Sequence, residues 1–189
     1  MDIRTDVSLK PYLTMQLGGN VHTMVDLYTN DDIVAACTMA RQQQAEFFVL
    51  GGGSNTLAQD SGFAGIVARN RIPGFSVIAE DAESTTITIG AGEILDDVVA
   101  RTVASGLSGI EALSAIPGTA GAAPVQNVGA YGQEIADTLV SLEAYDRQQE
   151  CFVLLSAADC EFSYRHSIFR GREMGRYIIT SITLRLRKG

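Results

Sequence analysis

The feature that most restricts how this chain can fold lies at residues 50–55. There the apolar run Phe47, Phe48, Val49 and Leu50 meets Gly51, Gly52 and Gly53, followed by Ser54 and Asn55. A short continuous apolar run bounded by glycines is a buried strand. The glycines behind it permit positive φ and let another backbone or a ligand approach the main chain closely. Consecutive amides freed in such a loop form an anion-binding concavity. A second stretch, "IPGTAGAAPVQNVGAYGQEI" at residues 116–135, is also built from small residues, with two prolines and the pair Gln126-Asn127. No lysine or arginine lies between Arg41 and Arg69, or between Arg101 and Arg147, and both stretches fall in those gaps. A phosphate bound at either is therefore held by amides and hydroxyls. A P-loop is excluded because no GK[ST] is present, and the first stretch lacks the third glycine of a Rossmann fingerprint. On residues alone two readings stand for each. The first stretch is an anion cradle or an unliganded tight turn. The second wraps a flat or extended ligand, or packs closely between lobes.

Around these loops the pattern is α+β. Residues 21–28 and Gly65–Arg69 are expected strands, and Asn30 is the expected cap of a helix from Asp31 to about Gln44, with Ile33, Val34, Cys37 and Ala40 on its apolar face. This makes a small α/β lobe over about residues 1–72. In a second lobe, 73–189, Phe75–Ala79 and Thr85–Ile89 alternate as a hairpin, and Ile94, Leu95, Val98, Val99 and Val103 have helical spacing ahead of Gly106. Leu139–Tyr145 pairs with Cys151–Leu155, Ser156 and Asp159 cap a short helix, and Tyr177–Arg187 alternates as a last long strand. The composition, 46% hydrophobic and 19% charged, is that of a soluble globular protein. No stretch approaches the roughly 20 apolar residues of a membrane span. The N-terminus lacks a signal-peptide core, so the expected location is cytoplasmic. The three cysteines, Cys37, Cys151 and Cys160, are expected to be buried free thiols. A net charge of −8 argues against nucleic acid as a partner.

"LGGGSN", "IPGTAGAAPVQNVGAYGQEI" and "FSYRHSIFRG", with "LKPYLTMQLGG" ahead of them, resemble the UDP-N-acetylenolpyruvoylglucosamine reductases in order and spacing, from about Leu9 to Arg187. The resemblance implies a two-lobed FAD-binding domain of the p-cresol methylhydroxylase type. It implies non-covalent FAD held by Gly51, Gly52, Gly53, Ser54 and Asn55, and by a facing segment containing Pro117, Gly118, Thr119, Gly121, Ala122, Gln126, Asn127, Gly129, Ala130, Tyr131 and Gly132. The amides of Gln126 and Asn127 bond the cofactor or brace the loop. Ala122 and Ala123 stand where some relatives have serines, so two possible hydroxyl contacts are missing.

The implied activity is a cytoplasmic flavin reductase of peptidoglycan precursor synthesis. NADPH is the hydride donor and UDP-N-acetylglucosamine enolpyruvate the UDP-sugar substrate. Arg165 matches the arginine that stabilises the intermediate, and Tyr164 its neighbour near the substrate; His166 stands where relatives often have aspartate. No metal is implied. The family's further, UDP-sugar-binding domain, with its serine proton donor, has no counterpart in these residues, so turnover by this chain alone is not expected. The rival readings are another FAD oxidoreductase of the same fold and a non-catalytic flavin-binding module.

Overall fold

The alternating and continuous apolar runs become strands, and one further strand forms where the sequence is mostly polar. The computed structural model describes residues 1–189, which divide into two units, Met1–Ile72 and Pro73–Gly189. The first unit opens with β1 (Asp2–Ser8), whose residues are largely exposed. Its strand character comes from antiparallel pairing with β2 (Asn20–Leu27) rather than from apolar alternation. From β2 the chain enters α1 (Asn30–Gln42), then β3 (Phe47–Leu50) and β4 (Phe63–Asn70). The sheet order is β1-β2-β4-β3, with β4 parallel to both β2 and β3. The helix buries Ile33, Ala36, Cys37 and Ala40, the stripe its spacing predicts except that Val34 is exposed.

The cap of α1 is Thr29, not Asn30. The Asp32 amide donates to Thr29 Oγ1 at 3.2 Å, and the Thr29 amide donates to Asp32 Oδ2 at 3.1 Å. A hydroxyl and a carboxylate three residues apart satisfy two orphan donors reciprocally, which Asn30 has no partner to do.

The second unit is built on β5 (Phe75–Glu80), β6 (Ser84–Gly90), α2 (Leu95–Ala104), the two-residue strands β7 (Leu107–Ser108), β8 (Gly129–Ala130) and β9 (Gln133–Glu134), and the long β10 (Leu139–Asp146), β11 (Cys151–Ser156) and β12 (Tyr177–Lys188). The main sheet runs β11-β10-β12-β6-β5, with β7 added to β12, and every pairing is antiparallel. β12 is its centre: from Ser181 to Arg187 it alternates, burying Ile182, Leu184 and Leu186 with Ile87, Ile89, Leu95, Val98 and Val99, and Ile178 to Thr180 are buried in a row beside an irregularity in the β10 pairing. α2 ends at Ser105, and Gly106 follows at φ +69°, the left-handed residue expected after a helix. A 3₁₀ turn, Ala158–Cys160, follows β11 with Ala157, not Ser156, at its cap position, while Ser156 and Asp159 bond each other reciprocally across its start. Cys37 and Cys160 are buried free thiols and Cys151 is an exposed one, since Cys151 opens the edge strand β11. Burial pushes the Cys160 thiol up to about 12. No helix is long and apolar enough to cross a membrane.

Candidate functional site

In the first unit the glycine run follows directly from β3. Gly53 has φ +71°, and a Cβ there would lie 2.0 Å from the carbonyl oxygen of Tyr12. The Thr14 amide donates to the Gly53 carbonyl at 3.2 Å. So Gly53 is a glycine because the Tyr12–Thr14 backbone rests on it. Tyr12 itself is held hard. Arg4 Nη1 donates to its hydroxyl at 2.6 Å, and the Arg69 guanidinium stacks 4.4 Å from its ring centroid. Both arginines close on the buried Asp26. Arg4 lies 2.8 Å from Oδ2, and Arg69 3.1 Å from Oδ1, the latter an ion-pair contact without hydrogen-bond alignment. Spacing gave no sign of Tyr12, because its partners lie 8 and 57 residues away in the chain. None of the turn and loop backbone hydrogen bonds is donated by Gly51, Gly52 or Gly53. Ser54 is half-buried and Asn55 exposed. Past them the loop borders an open cavity of about 430 Å³ lined by Leu13, Phe48, Leu57 and Phe63 together with Glu46, Thr56 and Gln59.

The second glycine-rich segment lies wholly in the second unit, and its backbone is pinned. Residues 118–121 run against 91–95: Leu95 N donates to Gly118 O at 3.1 Å, Ala120 N to Glu93 O at 2.8 Å, and Gly121 N to Ala91 O at 2.9 Å. A Cβ on Gly121 would lie 2.4 Å from that of Ala91, so this glycine permits close packing within its own unit. Pro117 is exposed, Ala122 and Gln126 are half-buried, and the short 3₁₀ helix Ala123–Gln126 follows. In the midst of this, Thr119 is only 8% exposed and its Oγ1 has no hydrogen-bond partner. A buried hydroxyl left unpaired costs about 1–3 kcal/mol, so an orphan of this kind calls for an explanation.

Asn127 turns inward. It is fully buried in the left-handed conformation, φ +44°, and its amide bonds Glu134, Ser163 and Ala136. These bonds brace the loop from within. Gly129, Ala130, Tyr131 and Gly132 form the hairpin of β8 and β9, with Tyr131 at φ +49° and Gly132 at φ +83°. Two positive φ values in a two-residue loop make a type I′ turn. Tyr131 at its tip is 97% exposed and so does no packing. The hairpin is braced from below by Gln133, which bonds Glu111 and the Ala112 amide. The amides of Gly109 and of Glu111 itself, followed by the Gln133 side chain, hold the Glu111 carboxyl below its ordinary value.

Tyr164 and Arg165 form the tip of a second tight turn, closed by Ser163 N to His166 O at 3.1 Å and His166 N to Ser163 O at 3.0 Å. Arg165 takes φ +54°, a region few non-glycine residues occupy. Both tip side chains are exposed, Tyr164 by 81%, with the guanidinium carbon 5.7 Å from the Tyr164 ring centroid. His166 is also exposed and rests on Gly171, where a Cβ would touch the imidazole. The second unit thus presents an aromatic ring on one tight turn, and a second ring with a permanent cation on another, in addition to a segment with one unpaired buried hydroxyl.

Residues 23–154 match the model of a family described as FAD binding domain. The chain is 42% identical to UDP-N-acetylenolpyruvoylglucosamine reductase of Salinispora arenicola over 187 residues, covering 98% of this chain and 51% of that protein. It therefore spans about half the length of the curated relatives it matches. Among solved structures, UDP-N-acetylenolpyruvylglucosamine reductase of Thermus caldophilus superposes with a TM-score of 0.77 at 29% identity, over 99% of this chain and 64% of that one. The 6-hydroxy-D-nicotine oxidase of Arthrobacter nicotinovorans shares the fold alone, with a TM-score of 0.71 at 17% identity over 99% of this chain and 42% of that one.

Proposed function

We propose, from the premise that this chain belongs to the FAD binding domain family, that it is the FAD-binding portion of an NADPH-dependent reductase. That enzyme converts UDP-N-acetylglucosamine enolpyruvate to UDP-N-acetylmuramate for peptidoglycan. The observation that carries the reading is the Thr119 hydroxyl, buried and unpaired inside the small-residue segment. It is a hydrogen-bonding group the fold itself leaves unused, as a cofactor contact would be. The amides of Gly51, Gly52 and Gly53 support the same fit, since they serve none of the turn and loop hydrogen bonds. With Ser54 and Asn55 they would hold the pyrophosphate, while the cofactor contacts proposed for the second unit are Thr119, Pro117, Gly118, Gly121, Ala122, Gln126 and the 129–132 hairpin. No histidine lies in either segment, which agrees with a non-covalent cofactor. When bound, FAD supplies hydride chemistry that the twenty side chains lack.

The chain's own contribution is orientation and charge. Hydride addition to a double bond conjugated with a carboxylate drives negative charge onto that carboxylate. A guanidinium is planar and permanently charged, and grips a carboxylate with two hydrogen bonds. Arg165 in that position stabilises the charge as it develops, which lowers the barrier more than it tightens ground-state binding. Tyr164, beside it on the same tip, offers an aromatic face and a hydroxyl to the substrate.

The test begins with binding. Titration of the apo chain with FAD quenches flavin fluorescence and raises the melting temperature, as a native-state ligand must. Anaerobic NADPH then bleaches the bound flavin. No change at saturating FAD overturns the cofactor assignment. FAD binding without reduction by NADPH favours a flavin-binding module over a reductase.

A further inference from the structure

Beneath the Tyr164–Arg165 tip lies a set of buried polar contacts that cofactor binding does not account for. Asn127 Nδ2 donates to Ser163 O at 3.1 Å and to Glu134 Oε2 at 2.6 Å, while its Oδ1 accepts from the Ala136 amide at 3.2 Å. Ser163 opens the Tyr164–Arg165 turn, and Glu134 and Ala136 continue from the Tyr131 hairpin. One side chain therefore ties both tips together. At the other end of the turn, the fully buried Ser167 donates through Oγ to Val125 O at 2.7 Å and accepts from the Phe169 amide at 3.2 Å. The turn is thus fastened at both ends to residues 125–127. Its own two backbone bonds leave Arg165 in the left-handed conformation, which is unfavourable for a residue with a side chain. Such a conformation persists only where the surroundings over-determine it.

We infer that Asn127 and Ser167 are positioning residues: a two-point clamp that aims the Arg165 guanidinium relative to the glycine-rich segment and the Tyr131 hairpin. Removing the clamp frees the turn while leaving the residues at its tip intact. What this means for chemistry rests on the reading that Arg165 meets a carboxylate. The clamp itself does not, and it can be tested without cofactor or substrate.

Two variants of the 189-residue chain are decisive, Asn127→Gly and Ser167→Ala. Glycine keeps the left-handed backbone at no steric cost and removes the side chain with its amide. Exchange of the Ser163 and His166 amides, and trypsin nicking after Arg165, are expected to rise at least tenfold in each variant. Amides in the middle of β12 should hold wild-type rates in both, and FAD affinity should change less than threefold in Ser167→Ala. In Asn127→Asp a carboxylate faces Glu134, and two such groups cannot both stay ionised without strain. That turn should be loose at neutral pH and tighten as the pH falls. Wild-type turn exchange in both Asn127→Gly and Ser167→Ala would overturn the clamp and make Asn127 a left-handed hinge only. Uniform acceleration of all amides would overturn it too, as the mark of general destabilisation. Should Asn127→Gly fail to fold, Ser167→Ala carries the same comparison. Failure of the wild-type chain to bind FAD would overturn the functional reading and leave the turn measurements to decide the clamp.

Discussion

The two glycine-rich segments look alike in sequence and are put to different use. In residues 51–55 a glycine is needed where one backbone rests on another, and the amides before it serve no turn or loop bond. In residues 117–132 the amides of Ala120 and Gly121 are bonded, Asn127 is committed to bracing, and the unused group is a side-chain hydroxyl. The glycine amides of the first make no turn or loop bond, whereas in the second the amides of Ala120, Gly121, Ala122, Ala123, Val125, Asn127 and Val128 all do. Glycine content alone therefore does not say where a ligand's hydrogen bonds come from. The accounting of donors does.

The largest expected effect breaks the comparison at Gly53. A Cβ would strike the Tyr12 carbonyl, and φ is +71°. Gly53→Ala should destabilise the first unit by roughly 3 kcal/mol or more, overpacking and left-handed strain together. Gly132 also has positive φ, but nothing lies within 4 Å of a Cβ there. Gly132→Ala should cost only about 1 kcal/mol. Denaturant unfolding of the two variants measures the difference, and equal losses would mean that strain, not contact, governs both.

A smaller effect, of opposite sign, belongs to the second segment. Thr119→Val removes the unpaired hydroxyl and keeps the shape. Without cofactor it should stabilise the chain by about 1 kcal/mol, because a desolvated, unbonded group is gone. With FAD it should weaken binding about tenfold, the worth of one hydrogen bond. A melting curve and a fluorescence titration read the two halves separately, and a loss of stability in the apo chain would show that Thr119 already has a partner.

The smallest effect is acid sensitivity. Glu111 has a folded-state pKa below its unfolded value of about 4.3, because amides and the Gln133 side chain bond the carboxylate. A depressed carboxylate contributes stability that is present above the unfolded value and lost as pH falls through the folded one. The brace under the Tyr131 hairpin should therefore loosen below about pH 4. The Thr14 to Gly53 contact, made by neutral backbone groups, should not. Amide exchange at Ala112 and Thr14, followed from pH 5 to pH 3, distinguishes the two. Parallel loss at both would point to global acid unfolding.

Much of the fold was legible because it depends on spacing. Period-two runs became β6, β10 and β12, and the helical spacing ending at Gly106 became α2. β1 was not legible, since Asp2–Ser8 has no apolar alternation and is a strand only because β2 supplies its partner. The cap of α1 was missed by one residue because Thr29 and Asp32 act as a pair. The motif segments marked where the proposed cofactor contacts lie, but not which bonds each residue makes there. Tyr131, placed by the resemblance on the cofactor-holding segment, is an exposed hairpin tip; Asn127, open between cofactor contact and brace, is wholly buried with its amide bonded to Glu134, Ser163 and Ala136.

What the sequence determined by itself is whatever neighbours along the chain can impose. It set the strand and helix periods, the helix stop at Gly106, the loops that tolerate positive φ and the absence of lysine and arginine from both glycine-rich segments. The tertiary structure decided which groups meet across long separations. It set Gly53 against Tyr12, Gly121 against Ala91, and Asn127 beneath Ser163, and it left Thr119 without a partner. The reason is physical. Backbone preference and apolar periodicity act within a few residues, whereas a hydrogen bond or a close contact depends only on where packing brings two atoms, however far apart they lie in the chain.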